Sequence, residues 1–248
     1  MRDVIDRDGF VVLPGVITDA EVKQLRAQAH AALDRVGIAS NGGSVIMDVT
    51  GKAPELLWCS TIPGVLEAVK EAFGNDDFFR VREVILHRNY MSRIWHKDLG
   101  NDLLEGGYFG CDPIGNPDCK ILKVALYLQD HQDGSGLRAR PGSHRERDLS
   151  IGDEVCVTTR SGDAVLFDLR ITHRGTPASA SDLVVKALGR LLPSRSRQRA
   201  IDRMRRLFRR ISRRPDRIVL FFSYGQPNEK TARFDQATSA VSEAGARI

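Results

Sequence analysis

The feature that most restricts the fold is a series of short β-rich segments in the second two-thirds of the chain. Gly, Pro, Asn and Asp turns separate these segments, and two helices precede them. This order is typical of an antiparallel sandwich or barrel flanked by helices, and not of a parallel α/β sheet. We therefore predict a mainly β protein with flanking α-helices. The predicted strands are residues 81–90, 120–130, 136–140, 155–159, 164–169 and 217–225.

The start of the first long helix is marked by a capping box. Residues 10–15 form a predicted short strand, and Thr18 and Glu21 follow it at the spacing of a reciprocal cap. Apolar residues at helical intervals continue to Val36. Gly37 is then predicted to take the left-handed conformation that often ends a helix.

A second helix is predicted from Pro63 to Phe73, with Gly74 as its stop. From about Glu229 the chain is polar, and we predict an irregular surface segment there. With 248 residues, the chain is long enough for a single full-sized core. We predict one domain over residues 1–248.

Composition restricts the cellular setting. The chain is 42% hydrophobic and 28% charged, which is typical of a soluble globular protein. No apolar run reaches the roughly 20 residues that span a bilayer, and the N-terminus lacks the apolar core of a signal peptide. The four cysteines form no CxxC pair, which favours free thiols in a reducing compartment. We predict a cytoplasmic protein.

The basic character of the chain is concentrated in residues 183–214. This segment has twelve basic residues and one acidic residue, whereas the rest has 25 basic and 31 acidic residues. We predict a basic helical insertion, which either packs on the barrel or contacts an anionic or lipid-like substrate, a carrier or a membrane surface. Nucleic acid is a disfavoured partner, because no aromatic stacking platform accompanies the arginines.

Two His-x-Asp pairs are candidate metal ligands, His96 with Asp98 and His131 with Asp133. Alternate residues of an extended chain point the same way, so either pair can present both side chains to one ion. The second pair lies in a polar turn, whereas the first follows a long strand and precedes most of the barrel strands. We therefore predict His96, Asp98 and the distal His173 as ligands. Two imidazoles and one carboxylate form the facial triad of non-haem iron(II) oxygenases.

The other histidines have plainer interpretations. His30 is predicted to be a structural residue on the first helix, and His144 a turn or capping residue. His87, Arg88 and Arg170 are strand residues near the triad and are candidate cavity residues, although a buried core histidine is the commoner outcome for His87.

Five landmarks in the right order resemble the phytanoyl-CoA dioxygenase family. They are residues 8–15 with the following helix, 95–98, 123–144, 162–173 and 217–225. The resemblance implies a double-stranded β-helix core of the jelly-roll or cupin-like type. It also implies Fe(II) as cofactor, with 2-oxoglutarate and O₂ as cosubstrates and succinate and CO₂ as products.

The family also has an arginine that binds the far carboxylate of 2-oxoglutarate, on the strand after the distal histidine. No arginine follows His173 at the usual spacing. Arg217, at the start of the closing strand, is the predicted partner because a guanidinium binds a carboxylate through two parallel hydrogen bonds. Arg214 is the alternative, and a surface role for Arg217 stays open. Lys123 and Tyr90 are further predicted cosubstrate-binding residues.

The first functional hypothesis is a dioxygenase that hydroxylates a C–H bond of a small-molecule or acyl/lipid-like substrate. Asp98 disfavours halogenation, because related halogenating enzymes have a small residue at that position. Desaturation, epoxidation and ring closure use the same triad. One alternative is a cupin-like metal-binding protein without 2-oxoglutarate turnover. The other is a non-oxygenase metal-dependent enzyme on the same barrel.

Overall fold

The computed structural model describes residues 1–41, 43–90, 94–100, 106–131, 134–175 and 216–245, with a few isolated positions between 184 and 211. The predicted helices of the basic insertion therefore lie outside the described residues. So do Asp133 of the second His-x-Asp pair and Arg214.

Two antiparallel sheets make up the body of the protein. Their strands are β1 (Phe10–Leu13), β2 (Ile38–Ser40), β3 (Gly43–Ile46), β4 (Phe79–Arg88), β5 (Ile121–Tyr127), β6 (Leu137–Ala139), β7 (Val155–Val157), β8 (Ala164–Asp168), β9 (His173–Arg174) and β10 (Ile218–Gly225). The larger sheet has seven strands in the order β1-β8-β5-β10-β4-β3-β2, and the smaller has three in the order β7-β6-β9. Apolar side chains from both sheets meet in one buried cluster, so the predicted mainly β jelly-roll fold is confirmed.

Helices cover the outer face of the large sheet. The described α-helices are α1 (Arg2–Asp8), α2 (Asp19–Val36), α3 (Val49–Lys52), α4 (Pro63–Phe73) and α5 (Glu229–Gly245), and the described 3₁₀ segments are Pro54–Thr61, Gly107–Phe109, Pro117–Cys119 and Ser143–Arg145. The two predicted helices are present as α2 and α4, the second with Gly74 in the left-handed conformation at φ 82°. The left-handed cap predicted at Gly37 is wrong, because its φ of −71° continues directly into β2.

Strand β5 shows how the sequence builds a two-sided core. Every residue of this strand is buried, because helices cover one face and the small sheet covers the other. Leu122, Val124 and Leu126 belong to the cluster beneath the helices. Ala125 and Tyr127 belong to the cluster between the sheets. The alternation of a strand therefore also points Lys123 inward.

The capping box of α2 gives a first testable prediction. The Thr18 hydroxyl accepts a hydrogen bond from the Glu21 amide at 3.3 Å, and the Glu21 carboxylate accepts one from the Thr18 amide at 2.7 Å. Thr18→Ala should lower the free energy of unfolding by about 1 kcal/mol, as measured by urea denaturation. The control is Gln24→Ala on the exposed face of the same helix. Equal stability of the two variants would show that the cap contributes nothing.

The irregular C-terminal segment predicted from Glu229 is wrong, because residues 229–245 form α5. Among the described side chains of this helix, those buried are Phe234, which is large and apolar, and Thr231, Thr238 and Ser242. These positions have helical spacing, but three of the four are polar, so the hydrophobic pattern does not reveal the helix.

Candidate metal centre and cavity

Backbone pairing brings the two histidines of the predicted triad together. His96 and His173 exchange amide-to-carbonyl hydrogen bonds of 3.0 and 2.9 Å, which extend the small sheet beyond β9. The two imidazole rings are 4.4 Å apart. One ligand atom each from His96, Asp98 and His173 lies within 4.8 Å of the other two. The three residues therefore form a compact cluster that has a suitable donor set for a metal ion.

Hydrogen bonds orient both imidazoles. The Nδ1 atom of His96 lies 2.8 Å from the Ile94 carbonyl, and that of His173 lies 3.1 Å from the Ile171 carbonyl. A carbonyl accepts only from a protonated nitrogen, which assigns the proton of each neutral ring to Nδ1. The Nε2 atom of each ring then faces Asp98: that of His96 lies 3.4 Å from Oδ1, and that of His173 lies 3.8 Å from Oδ2. This is the orientation in which histidines bind a metal.

The charges around Asp98 keep it ionised. Burial alone would raise its pKa, but the Lys123 ammonium group counters burial and holds the pKa well below its usual range. Lys123 donates a hydrogen bond of 2.8 Å to Asp98 Oδ2. Burial lowers the pKa of His173 to about 4, so its imidazole is neutral at physiological pH. A carboxylate and a neutral imidazole are the protonation states that bind a divalent cation.

A buried ion pair supports the loop between β8 and β9, which leads to His173. The Arg170 guanidinium donates to both carboxylate oxygens of Asp168, at 2.9 and 2.8 Å. Its third nitrogen donates to the carbonyls of Pro113 and Asn116. Asp168 also accepts from the Arg170 amide at 2.9 Å. The pair thus fixes the loop from which the distal ligand emerges.

Lys97, between the first two ligands, attaches its segment to this loop. Its ammonium group donates to the carbonyls of Arg170 and Ser143 at 2.8 and 2.6 Å. The Ser143 hydroxyl accepts from the Thr172 amide at 2.9 Å. The Pro141–His144 landmark of the sequence therefore has a structural role, which is to connect the segments that carry the ligands.

A cavity of about 270 Å³ lies between the two sheets and includes all three triad residues. Its apolar walls come from Met47, Ile85, Leu137, Val219 and Phe221. Its polar lining consists of the triad with His87, Asn89, Tyr90, Lys123, Tyr127, Gln129, His131, Ser135 and Arg217. A cavity that combines apolar walls with converging polar groups is typical of a small-molecule site.

The structure separates the predicted cavity residues into two groups. His87, Tyr90, Lys123 and Arg217 line the cavity. Arg88 points to the helical side, where it donates to Asp34 of α2 at 2.7 Å, and Arg170 is in the buried pair described above. Both are therefore structural residues, and their cavity predictions are wrong.

The remaining histidines mostly follow their predictions. His30 on α2 is half-buried, 3.9 Å from Asp216, and His144 is buried in a short 3₁₀ turn. His131 is different, because it is buried and lines the cavity although its neighbours in the sequence indicate a turn. It contacts the side chains of Gln129 at 3.1 Å and Thr159 at 3.2 Å.

A sequence model of the phytanoyl-CoA dioxygenase family matches residues 5–182. This match covers more than two-thirds of the chain and includes His96, Asp98 and His173. The chain belongs to the phytanoyl-CoA dioxygenase family. The match ends before Arg217. A search of curated protein sequences finds no significant relative.

Solved structures with the same fold include two enzymes of nogalamycin biosynthesis and HygX. The epimerase SnoN and the carbocyclase SnoK of nogalamycin biosynthesis each align with a TM-score of 0.61 and 18% identity. SnoN aligns over 91% of this chain and 80% of its own, and SnoK over 90% and 81%. HygX from Streptomyces hygroscopicus, with nickel and 2-oxoglutarate bound, aligns with a TM-score of 0.56 and 18% identity. This alignment covers 91% of this chain and 87% of HygX. At these identities the likeness concerns the fold. Among the described helices, none combines the length and apolar character needed to cross a membrane.

Proposed function

We propose that this protein is an Fe(II)- and 2-oxoglutarate-dependent dioxygenase whose metal is held by His96, Asp98 and His173. The observation that carries the proposal is the cluster of two oriented imidazoles and one ionised carboxylate beside a cavity. Three protein ligands on one face of an octahedral ion leave three positions for a keto acid and O₂. When bound, iron and 2-oxoglutarate would supply an oxidation of substrate driven by O₂, with release of succinate and CO₂.

The charges of the cavity suit a dicarboxylate. Lys123 lies beside Asp98, and Arg217 precedes the inward-facing residues Val219 and Phe221 on β10. Lys123 pairs with Ser223 near the other end of that strand, so the two cations are well separated along the cavity. We propose that Arg217 binds the far carboxylate of 2-oxoglutarate, while Lys123 holds Asp98 in place. Tyr90 lines the same wall, with its hydroxyl bonded to Asn41 at 2.9 Å.

We further propose hydroxylation of a small-molecule substrate as the reaction. Among the similar structures, SnoN is an epimerase and SnoK is a carbocyclase. SnoN has been solved with nogalamycin RO, and HygX with hygromycin B. The same core thus accompanies several outcomes in those proteins. The proposal includes a substrate that is anionic or lipid-like. It also includes contact of residues 183–214 with a carrier or a membrane surface, and a cytoplasmic location. A reducing compartment would keep the iron ferrous.

Turnover of the cosubstrate tests the proposed function without knowledge of the substrate. The purified protein should convert 2-oxoglutarate to succinate slowly when both Fe(II) and O₂ are present, because many oxygenases decarboxylate the keto acid without substrate. Zn(II) in place of Fe(II), or argon in place of air, should stop the reaction. Succinate formation that is independent of iron and O₂ would contradict the proposal.

Arg217→Met should raise the 2-oxoglutarate concentration for half-maximal succinate formation by about 100-fold, since a bidentate charged contact is lost. For Arg217→Lys this concentration should lie between those of Arg217→Met and the wild type, because an ammonium group keeps the charge but cannot form two parallel hydrogen bonds. The matched control is Arg88→Met, since Arg88 pairs with Ile218 across the neighbouring strand but points away from the cavity. Equal 2-oxoglutarate dependence of Arg217→Met and Arg88→Met would remove Arg217 from the site.

A further inference from the structure

Two cysteine thiols are neighbours in the long connection between β4 and β5. The Sγ atoms of Cys111 and Cys119 are 3.8 Å apart, and both cysteines are free thiols. Neither is among the residues that line the cavity, so the proposed iron site does not use them. A disulfide S–S bond is about 2.05 Å long, and a movement of less than about 2 Å would therefore join the two sulfurs. The pair is a candidate site of thiol oxidation.

The two thiols differ in exposure, which sets the order in which they react. Cys111 is half-buried, whereas Cys119 is fully buried with Phe109 and Phe234 in an apolar cluster. Burial raises the pKa of the Cys119 thiol to about 12, so this thiol stays protonated at physiological pH. Because the thiolate is the nucleophile in disulfide exchange, a dissolved disulfide reacts first at Cys111. Cys119 is then already beside the mixed disulfide, and this proximity favours an internal second step.

The segment between the two cysteines supports the loop that leads to the distal histidine. The Arg170 guanidinium donates to the Pro113 carbonyl at 3.2 Å and to the Asn116 carbonyl at 3.0 Å. Both carbonyls lie within the segment that a bond from Cys111 to Cys119 closes into a ring. Such a crosslink restricts the segment most strongly in the unfolded chain. It therefore favours the folded form, in which the carbonyls hold Arg170.

We propose that Cys111 and Cys119 are a redox modification site, at which a small-molecule disulfide such as oxidised glutathione generates a reversible intramolecular disulfide. The Cys111 sulfur loses its proton and attacks oxidised glutathione, and the glutathione thiolate that leaves takes up a proton. The Cys119 sulfur then attacks Cys111 Sγ, and its proton passes to the second departing glutathione. Two protein thiols are thus oxidised to one disulfide, while one oxidised glutathione is reduced to two glutathione molecules. The inference is independent of the proposed function.

Peptide mapping tests the modification directly, because trypsin separates the cysteines. The expected peptides are residues 53–70 with Cys59, residues 98–120 with Cys111 and Cys119, and residues 148–160 with Cys156. The folded full-length protein is incubated under argon with excess oxidised glutathione, and is then unfolded, alkylated with iodoacetamide and digested. The control is Cys156, since it is half-buried like Cys111 and lies in a different peptide.

The peptide of residues 98–120 should be recovered predominantly without alkyl groups and two hydrogens lighter than the dithiol form. Treatment with dithiothreitol before alkylation should restore both alkylated cysteines. The peptide of residues 148–160 should carry either the alkyl group or glutathione. Alkylation of both cysteines in residues 98–120 of the glutathione-treated protein, or a glutathione adduct that persists there, would overturn the inference.

Thermal unfolding tests whether the folded loop accommodates the disulfide. The oxidised protein should melt a few degrees above the reduced protein, because the crosslink restricts the unfolded chain. Cys111→Ser should lose this difference between oxidised and reduced samples, and the control Cys156→Ser should keep it. An oxidised wild-type protein that melts at or below the temperature of the reduced protein would show that the bond strains the folded loop, and it would also overturn the inference.

Discussion

Asp98→Ala and His173→Ala should each abolish measurable succinate formation and weaken Fe(II) binding by at least about 100-fold. Each change removes one of three protein ligands. Mutation of residues that only hydrogen-bond to metal ligands already lowers metal affinity by about 10- to 100-fold. Asp98→Ala should weaken Fe(II) binding more than His173→Ala does, since Asp98 is the anionic ligand of the cluster. Isothermal titration with Fe(II) under argon measures the affinity directly.

The controls for these variants separate ligand loss from damage to the fold. Asp98→Ala leaves the buried ammonium of Lys123 without its 2.8 Å partner, so some loss of stability is expected. Asp98→Asn keeps the volume and an acceptor oxygen for Lys123, but it removes the charge that the metal needs. His30→Ala, a histidine on α2 outside the cavity, should retain full Fe(II) affinity. Normal iron binding by Asp98→Asn and His173→Ala would show that the ion lies elsewhere.

Asp168→Ala should lower the free energy of unfolding by about 3–5 kcal/mol, because it leaves the Arg170 guanidinium buried without its anionic partner. Asp168 is 1% exposed and Arg170 is 8% exposed, so water does not replace the lost contact. The loop before His173 also loses its main support, and we expect a lower Fe(II) affinity in the folded fraction. Urea denaturation measures the first effect, and titration at low temperature measures the second.

An exposed ion pair provides the contrast. Glu154 accepts from Arg174 at 2.8 and 3.0 Å and from Arg138 at 2.6 Å near the protein surface. Glu154→Ala should cost only about 0–1 kcal/mol. The double variant Asp168→Leu with Arg170→Met should regain much of the stability lost by Asp168→Ala, since neither buried charge remains unpaired. A small effect of Asp168→Ala, similar to that of Glu154→Ala, would mean that the loop is supported by other contacts.

The cluster of His96, Asp98 and His173 was predictable because each ligand lies in a recognisable local pattern. His96 and Asp98 are alternate residues of one segment, and His173 follows a strand whose apolar run is evident in the sequence. The strands of the core were predictable for the same reason, since runs such as 164–169 are bounded by clear turn residues. The family resemblance then selected among the candidate histidines, and the match over residues 5–182 confirms the family.

The unpredicted features depend on contacts between distant segments. Lys123 reaches Asp98 from another strand, and nothing near either residue in the sequence indicates the pair. His131 follows β5 in a stretch that resembles a polar turn, yet the fold buries it against Tyr127. Helix α5 was missed because threonine and serine occupy most of its buried face. In each case the contact is with a residue of another helix or strand, so the local sequence pattern does not predict it.

We propose that His96, Asp98 and His173 hold an iron ion to which 2-oxoglutarate binds. The most direct measurement is anaerobic addition of Fe(II) and then 2-oxoglutarate to the purified protein, followed by visible absorption. We predict a weak charge-transfer band that saturates with one equivalent of iron and disappears in Asp98→Ala and His173→Ala. A folded wild-type protein that binds Fe(II) but develops no band with 2-oxoglutarate would contradict the account.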